Sequence, residues 1–244
     1  MYSVTKELVT EIYHLLQPQL QPQSRARTAL PVAVKVTVVV NFYASGSFQV
    51  FAGDISNIPQ FAVHCCIREV TEALYIMRNT FISFSLARDK QKEQARGFAW
   101  IAGFPMVQGA IDCMHIALCA PHLNSDIFIS GKGFHSLNVQ LMCDHRQCTM
   151  QVIAHNPGSS HDSFILWQSS VPPVFEPAWQ VKGWLPGKKG YPLMTWLMTS
   201  VRNTRTRAQQ AYNESHATTR NIIEHAISVL KQCLRCLDHS AGAL

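Results

Sequence analysis

The sequence predicts a mixed α/β protein in which a smaller all-α region precedes an α/β domain, and three observations carry that prediction. Before about residue 105, apolar residues recur with helical period; beyond it they recur with strand period; and near the end a helical stripe returns. The chain has 244 residues, of which 47% are hydrophobic and 15% charged, so it can bury a sizeable core as one large domain or two small ones. The change of period divides it into a helical region over 1–104 and an α/β domain over 105–244.

In the first region, Val63, Ile67, Val70, Leu74 and Met77 step by four and three along one helical face, with Gln60, His64 and Arg68 on the polar side. Asn57 and Ile58 lead into Pro59, which suits a first helical turn. The shorter apolar stretch Phe48 to Ile58 precedes it, and two helices joined there by a tight turn would form a helix-turn-helix-like unit. A further helix, basic at its start, runs from about Arg88 to Ile101. In the second region, the nearly continuous apolar run Val107 to Leu118 reads as a buried central strand. Leu137 to Cys143 and Met150 to Ala154 alternate across the polar link Asp144-His145-Arg146-Gln147, which predicts a hairpin. Asn156 to Ser160 reads as a loop, a short helix follows from Ser163, and the proline-rich stretch from Pro172 to Pro192 reads as irregular. Ile223, Ile227, Leu230 and Leu234 mark a terminal helix packed on the sheet.

Twenty-one Lys and Arg against fifteen Asp and Glu give a net charge of +6. Between Glu176 and Glu214 there is no acid, but Lys182, Lys188, Lys189, Arg202, Arg205 and Arg207 lie there. Such a stretch suits a polyanion through counterion release, and a solvated basic loop equally well. No run of 18 apolar residues argues for a membrane span, and the eight cysteines, without an export signal, read as free thiols. Cys233, Cys236 and His239 hint at zinc but lack a second ligand pair.

Asp112 stands inside the apolar run Gly109 to Ile116, where an ionised carboxylate is costly unless paired or bound to metal. Its sequence neighbours offer no cation beyond His115, and the plain alternative is bonding to backbone amides. Asp162 precedes a short helix and serves equally as an N-cap. Glu224 borders the apolar stripe of the terminal helix, where pairing with Arg220 at i, i+4 is the plain alternative. Acids on a strand, a loop and a late helix have a joint chemical logic, because hard divalent ions take carboxylate oxygens from segments far apart in sequence, and such ions stabilise phosphodiester cleavage.

Longer strings sharpen this. Gly109 to Ile116 with Ala120-Pro121, Lys132 to Gln140, Pro157 to Ser163, Gly183-Trp184-Leu185 through Gly190-Tyr191-Pro192-Leu193, and Tyr212 to His216 with Arg220 to Glu224 occur in an order that resembles the harbinger-type transposase-derived nucleases of the DDE superfamily. Phe42 to Gln49 looks familial too, so the resemblance covers roughly residues 40 to 244. It implies an RNase H-like mixed sheet flanked by helices, a helix-turn-helix-like region upstream, and a DNA endonuclease using Mg²⁺ or Mn²⁺. Asp112, Asp162 and Glu224 carry over as catalytic metal ligands. Further implications are DNA as partner, a separate DNA-binding subunit, no membrane, and a location in the nucleus or also the cytoplasm.

Two departures qualify this. Lys188 follows Gly187 where the family has an Asp ligand. An ammonium beside a dication repels it by about 4 kcal/mol at ~4 Å and an effective dielectric of 20, unless its flexible stem swings to solvent. Weaker metal binding and strongly reduced cleavage are expected, and the alternative is a catalytically inactive DNA- or partner-binding protein that keeps the fold. The chain also stops at Gly242-Ala243-Leu244 where the family continues into a helical segment, so the 105–244 domain is expected to be truncated at its C-terminus, with apolar surface exposed.

Overall fold

Four helices build their own small core near the start of the chain. The computed structural model describes residues 4–21, 30–177 and 179–238. It divides into two units, Met1–Thr80 with Val229–Leu244 and Phe81–Ser228. In the first, α1 (Lys6–Leu20) starts where the Thr5 hydroxyl accepts from Leu8 N at 3.3 Å. α2 (Val32–Ser45) contains the run Val-Ala-Val-Lys-Val-Thr-Val-Val-Val, whose β-branched residues favour strands in isolation. Burial decides otherwise: Val36 and Val39 are fully enclosed with Leu16, Cys66 and Val70, and among the described residues no strand partner competes in this unit. Gly46 ends α2 in the left-handed region, its N–H bonded to Phe42 O.

α3 (Gln49–Ser56) and α4 (Gln60–Ile76) follow, separated by Asn57, left-handed at φ 53°, then Ile58 and Pro59. Pro59 occupies the residue before the first turn, and Val63, Cys66, Val70 and Ala73 form the buried stripe of α4. The expected polar face, Gln60, His64 and Arg68, is exposed. An ion pair from Lys35 to Glu69 at 2.5 Å ties α2 to α4.

After the short α5 (Arg78–Phe81), α6 (Arg88–Ala102) belongs to the second unit, so the helical region of the sequence extends past the first unit's boundary. Its polar residues explain this. Buried Gln91 donates to Leu86 O and Gln180 O and accepts from Lys182 N, and buried Gln94 accepts from His145 Nδ1 at 2.9 Å. Gly97 lies against the His145 ring so closely that a Cβ there would overlap it.

Strands β1 (Ala110–Ala117), β2 (Ser136–Cys143) and β3 (Thr149–Pro157) form an antiparallel sheet in that order. β1 is buried as expected but lies at the edge of these three strands rather than between two of them. Its apolar character comes from what covers it: Ile111 and Cys113 share a core with Ile165 and Leu166 of α7 (Asp162–Gln168), Phe175 of α8 (Val171–Phe175), and Leu185 and Leu197. The hairpin turn is held by Asp144 Oδ1, which accepts from Arg146 N and Cys148 N at 2.8 Å each. β3 runs on to Pro157, past the start of the expected loop, because Asn156 and Pro157 still pair with Asn138 and Leu137. Within the expected irregular stretch, Pro172 helps start α8 and Leu185–Pro186 forms β4, which pairs in parallel with β5 (Leu197–Met198). Just upstream of β1, Val107 bridges Trp184 in parallel. The helix α9 (Arg207–Cys233) follows, with Ile222 and Ile223 buried.

Cys236 is buried and Cys233 half-buried, while the third member of that sequence cluster, His239, and the terminal Gly242 to Leu244 lie outside the described residues. No helix among the described residues is long and apolar enough to cross a membrane.

Candidate active site: three carboxylates and two cations

Asp112 is only 6% exposed, and its Oδ1 accepts from the next amide, Cys113 N, at 2.7 Å. One amide does not compensate a buried carboxylate, and cations from distant segments complete it. Lys188 Nζ lies 3.0 Å from Asp112 Oδ1, 3.2 Å from Asp162 Oδ2 and 3.0 Å from Cys113 O. An ammonium has three protons, so these acceptors saturate it. Lys188 therefore turns inward, against the expectation that its stem could carry the charge to solvent. Two carboxylates facing one another attract the cation more strongly than water retains it. Burial alone would lower the Lys188 pKa, but the charges of Asp112 and Asp162 outweigh burial and raise it.

Asp162 opens α7 as its first residue, while the capping position belongs to His161 and no side chain caps the helix. Its carboxylate is thus free for other work. Oδ2 faces Lys188, and Oδ1 accepts from Asn138 Nδ2 at 3.2 Å. Asn138, buried in β2, also donates to Ser160 O at 2.8 Å and so fixes the loop that presents Asp162. Gly190 lies close beside it: a Cβ there would come within 2.5 Å of Asp162 Oδ2 and displace that carboxylate.

Glu224 enters through Arg220. Arg220 Nη1 lies 2.7 Å from Glu224 Oε1, one turn along α9, and 3.5 Å from Asp112 Oδ2. The i, i+4 pairing is real, and the same nitrogen joins Glu224 to Asp112. The three candidate acids are thus gathered, but around two cations: Lys188 between Asp112 and Asp162, and Arg220 between Asp112 and Glu224. His115 Nδ1 bonds Ser136 Oγ at 3.0 Å, and His161 is exposed.

Beside the acids, Tyr191 OH contacts Cys113 Sγ at 3.1 Å and donates to Gln140 Oε1 at 3.3 Å. Burial pushes the Tyr191 hydroxyl and the Cys113 thiol well up, so both stay protonated. His216 donates from Nε2 to Met198 O at 3.0 Å, and burial lowers its pKa, which keeps it neutral. Asn138, Tyr191 and His216 lie inside the familial strings, yet nothing in their spacing marks the bonds they make, of which that of Asn138 reaches an acid.

A divalent ion needs carboxylate oxygens that converge on free space. Here the oxygens that converge hold Lys188 Nζ, and among the described residues no three His, Cys, Asp or Glu side chains are placed to hold a metal ion. In this arrangement the donor set does not fit a divalent metal. Of the other cations in the acid-free stretch, Lys182, Lys189, Arg202, Arg205 and Arg207 are exposed.

Residues 111–243 match the DDE superfamily endonuclease family, and the chain belongs to it. Over all of its length the chain is 35% identical to "Putative nuclease HARBI1" of Bos taurus and of Homo sapiens, covering 70% of each. It is also 24% identical over 220 residues to "Protein ALP1-like" of Arabidopsis thaliana, covering 84% of this chain and 53% of that protein. No solved structure matches the chain.

Proposed function

We propose that this chain acts on DNA as a transposase-derived nuclease in which Asp112, Asp162 and Glu224 are the phosphodiester-cleaving centre, and that Lys188 holds this centre closed, so that DNA is bound and cut slowly or not at all. DDE superfamily endonucleases generally use divalent metals. The observation that carries the reading is the Lys188 ammonium, 3.0 and 3.2 Å from the two aspartates. A location in the nucleus, or also in the cytoplasm, is part of the same proposal.

The RNase H-like sheet belongs to the same reading. It is supported by three antiparallel strands, β1 to β3, and by the parallel bridge from Val107 to Trp184 that leads into the parallel pair β4–β5. The α3–turn–α4 pair supports the helix-turn-helix-like element, and a separate DNA-binding subunit remains part of the proposal through family likeness alone.

A second reading, an ordinary Mg²⁺- or Mn²⁺-dependent endonuclease, is favoured by the gathering of the three acids and by the 32% exposure of the Lys188 side chain. A plasmid-nicking assay in Mn²⁺ separates the two. The first reading expects slow nicking or none by the natural chain, much faster nicking by Lys188→Asp, and none by Lys188→Asp combined with Asp112→Ala. Equal nicking by the natural chain and Lys188→Asp, abolished in both by Asp112→Ala, would establish the second.

A further inference from the structure

Two clefts open beside the carboxylates on the side formed by the acid-free stretch and α9. One, of about 360 Å³, is lined by Lys188, Lys189 and Arg220 together with Ser200, Asn213 and His216. The other, of about 580 Å³, is lined by Tyr191, Leu193, Met198, Val201 and Tyr212, with Arg202 at its polar side. They share Lys189 and Ser200. Among the described residues no carboxylate lines either cleft; the three acids stand behind Lys188 and Arg220 and neutralise them in part.

The walls are built rather than loose. Asn213 clamps Val201 to α9 through both backbone groups, accepting from Val201 N at 2.8 Å and donating to Val201 O at 3.0 Å. Tyr212 donates to Thr199 O at 3.0 Å and stacks on His216 at 5.9 Å between ring centroids, which fixes its ring. Gly187 lets Tyr191 and Leu197 close in behind, since a Cβ there would meet each at about 3 Å.

A cationic cleft joined to an apolar, tyrosine-bearing one fits an ion with a flat apolar body, and a nucleotide has that chemistry. We propose that this pair of clefts holds a single unpaired nucleotide of DNA, its phosphate against Lys189 and Arg220 and its base against Tyr212, Leu193 and Met198. The proposal rests on the DNA reading above and adds to it a site and a substrate form. A base inside a duplex cannot enter such a pocket, so the ligand is an extruded, bulged or single-stranded position. Lys188 suits this role from behind the cleft: its ammonium, held between Asp112 and Asp162, offsets the negative charge that would otherwise repel the phosphate. Aromatic and apolar contact with the base is sequence-tolerant, since every base has a π-face.

The test is fluorescence anisotropy with labelled oligonucleotides: a fully paired duplex, the same duplex with one unpaired adenine, and one with an abasic residue at that position. The natural chain is expected to bind the adenine bulge about tenfold more tightly than the abasic bulge. Leu193→Asp, at a site 67% exposed, is expected to remove that difference, and Lys189→Glu to weaken every DNA. Free deoxyadenosine monophosphate is expected to compete at least a hundredfold more weakly than the bulged DNA, because it lacks the flanking phosphates; equal competition would overturn DNA as the source of the nucleotide. If paired, bulged and abasic DNA bind alike, the clefts are not a nucleotide site and the DNA reading survives. If no DNA binds, both fall.

Discussion

Lys188→Met deletes the ammonium while keeping a stem of similar length, and leaves Asp112 and Asp162 facing each other without the cation between them. Each lost contact, 3.0 and 3.2 Å long, is on the order of 5 kcal/mol by Coulomb's law at an effective dielectric of 20, before desolvation is counted. Freeing the lysine for water offsets much of this. Removing one partner of a buried pair costs about 3–5 kcal/mol, and the 32% exposure of the Lys188 side chain argues for the lower end, about 3 kcal/mol. That is a large share of a native stability of about 5–15 kcal/mol. Urea denaturation at pH 7 measures it. Mn²⁺ added to the same titration gives an independent arm. It should stabilise Lys188→Asp, by about 2.7 kcal/mol at a hundredfold excess over the dissociation constant, and leave the natural chain unchanged. A Lys188→Met variant within about 0.5 kcal/mol of the natural chain, or equal Mn²⁺ stabilisation of the natural chain and Lys188→Asp, would refute the reasoning.

The raised pKa of Lys188 means that its contribution is complete below the ordinary lysine value of 10.5 and is lost as pH rises through the higher folded value. Alkaline unfolding followed by circular dichroism should therefore be steeper in the natural chain than in Lys188→Met. For His216 the sign reverses: its folded pKa is lowered by burial, so its contribution is present above the ordinary value of 6.5 and is lost as pH falls through the folded value. His216→Gln should flatten that acid limb in a thermal-melt series across pH. Gly97→Ala, which drives a methyl into the His145 ring, should cost about 1–3 kcal/mol by urea denaturation, more than the same change at exposed Gly131, where a Cβ meets nothing. Asn138→Ala should cost about 1–3 kcal/mol, since Asp162 Oδ1 and Ser160 O both lose their donor.

Much of the fold was legible because each element carries its own period. The stripe of α4, the Asp144 hairpin and the α9 helix follow from local pattern and turn chemistry. The place of β1 was not legible, since a run buried by helices on its faces reads the same as one buried by neighbouring strands. The three acids could be singled out, Asp112 by its apolar setting and the others by position and resemblance. Their cations could not be assigned. Lys188 is 76 residues from Asp112 in sequence and Arg220 is 108, and only the folded chain brings them within 3.0 and 3.5 Å. Lys188 was visible as an anomaly, but the side it turned to depended on a carboxylate pair with nothing else between them.

The first unit is made from segments far apart in the chain: the 3₁₀ turn Arg235–Leu237 packs against α2, and Cys236 is buried there. During synthesis the opening helices emerge long before residues 229–238 do. Their valine-rich second helix must then wait, with part of its apolar surface uncovered, until that later segment is made. An interval of that kind is when a chaperone has most to offer, and a chain lacking residues 229–238 would keep that surface bare.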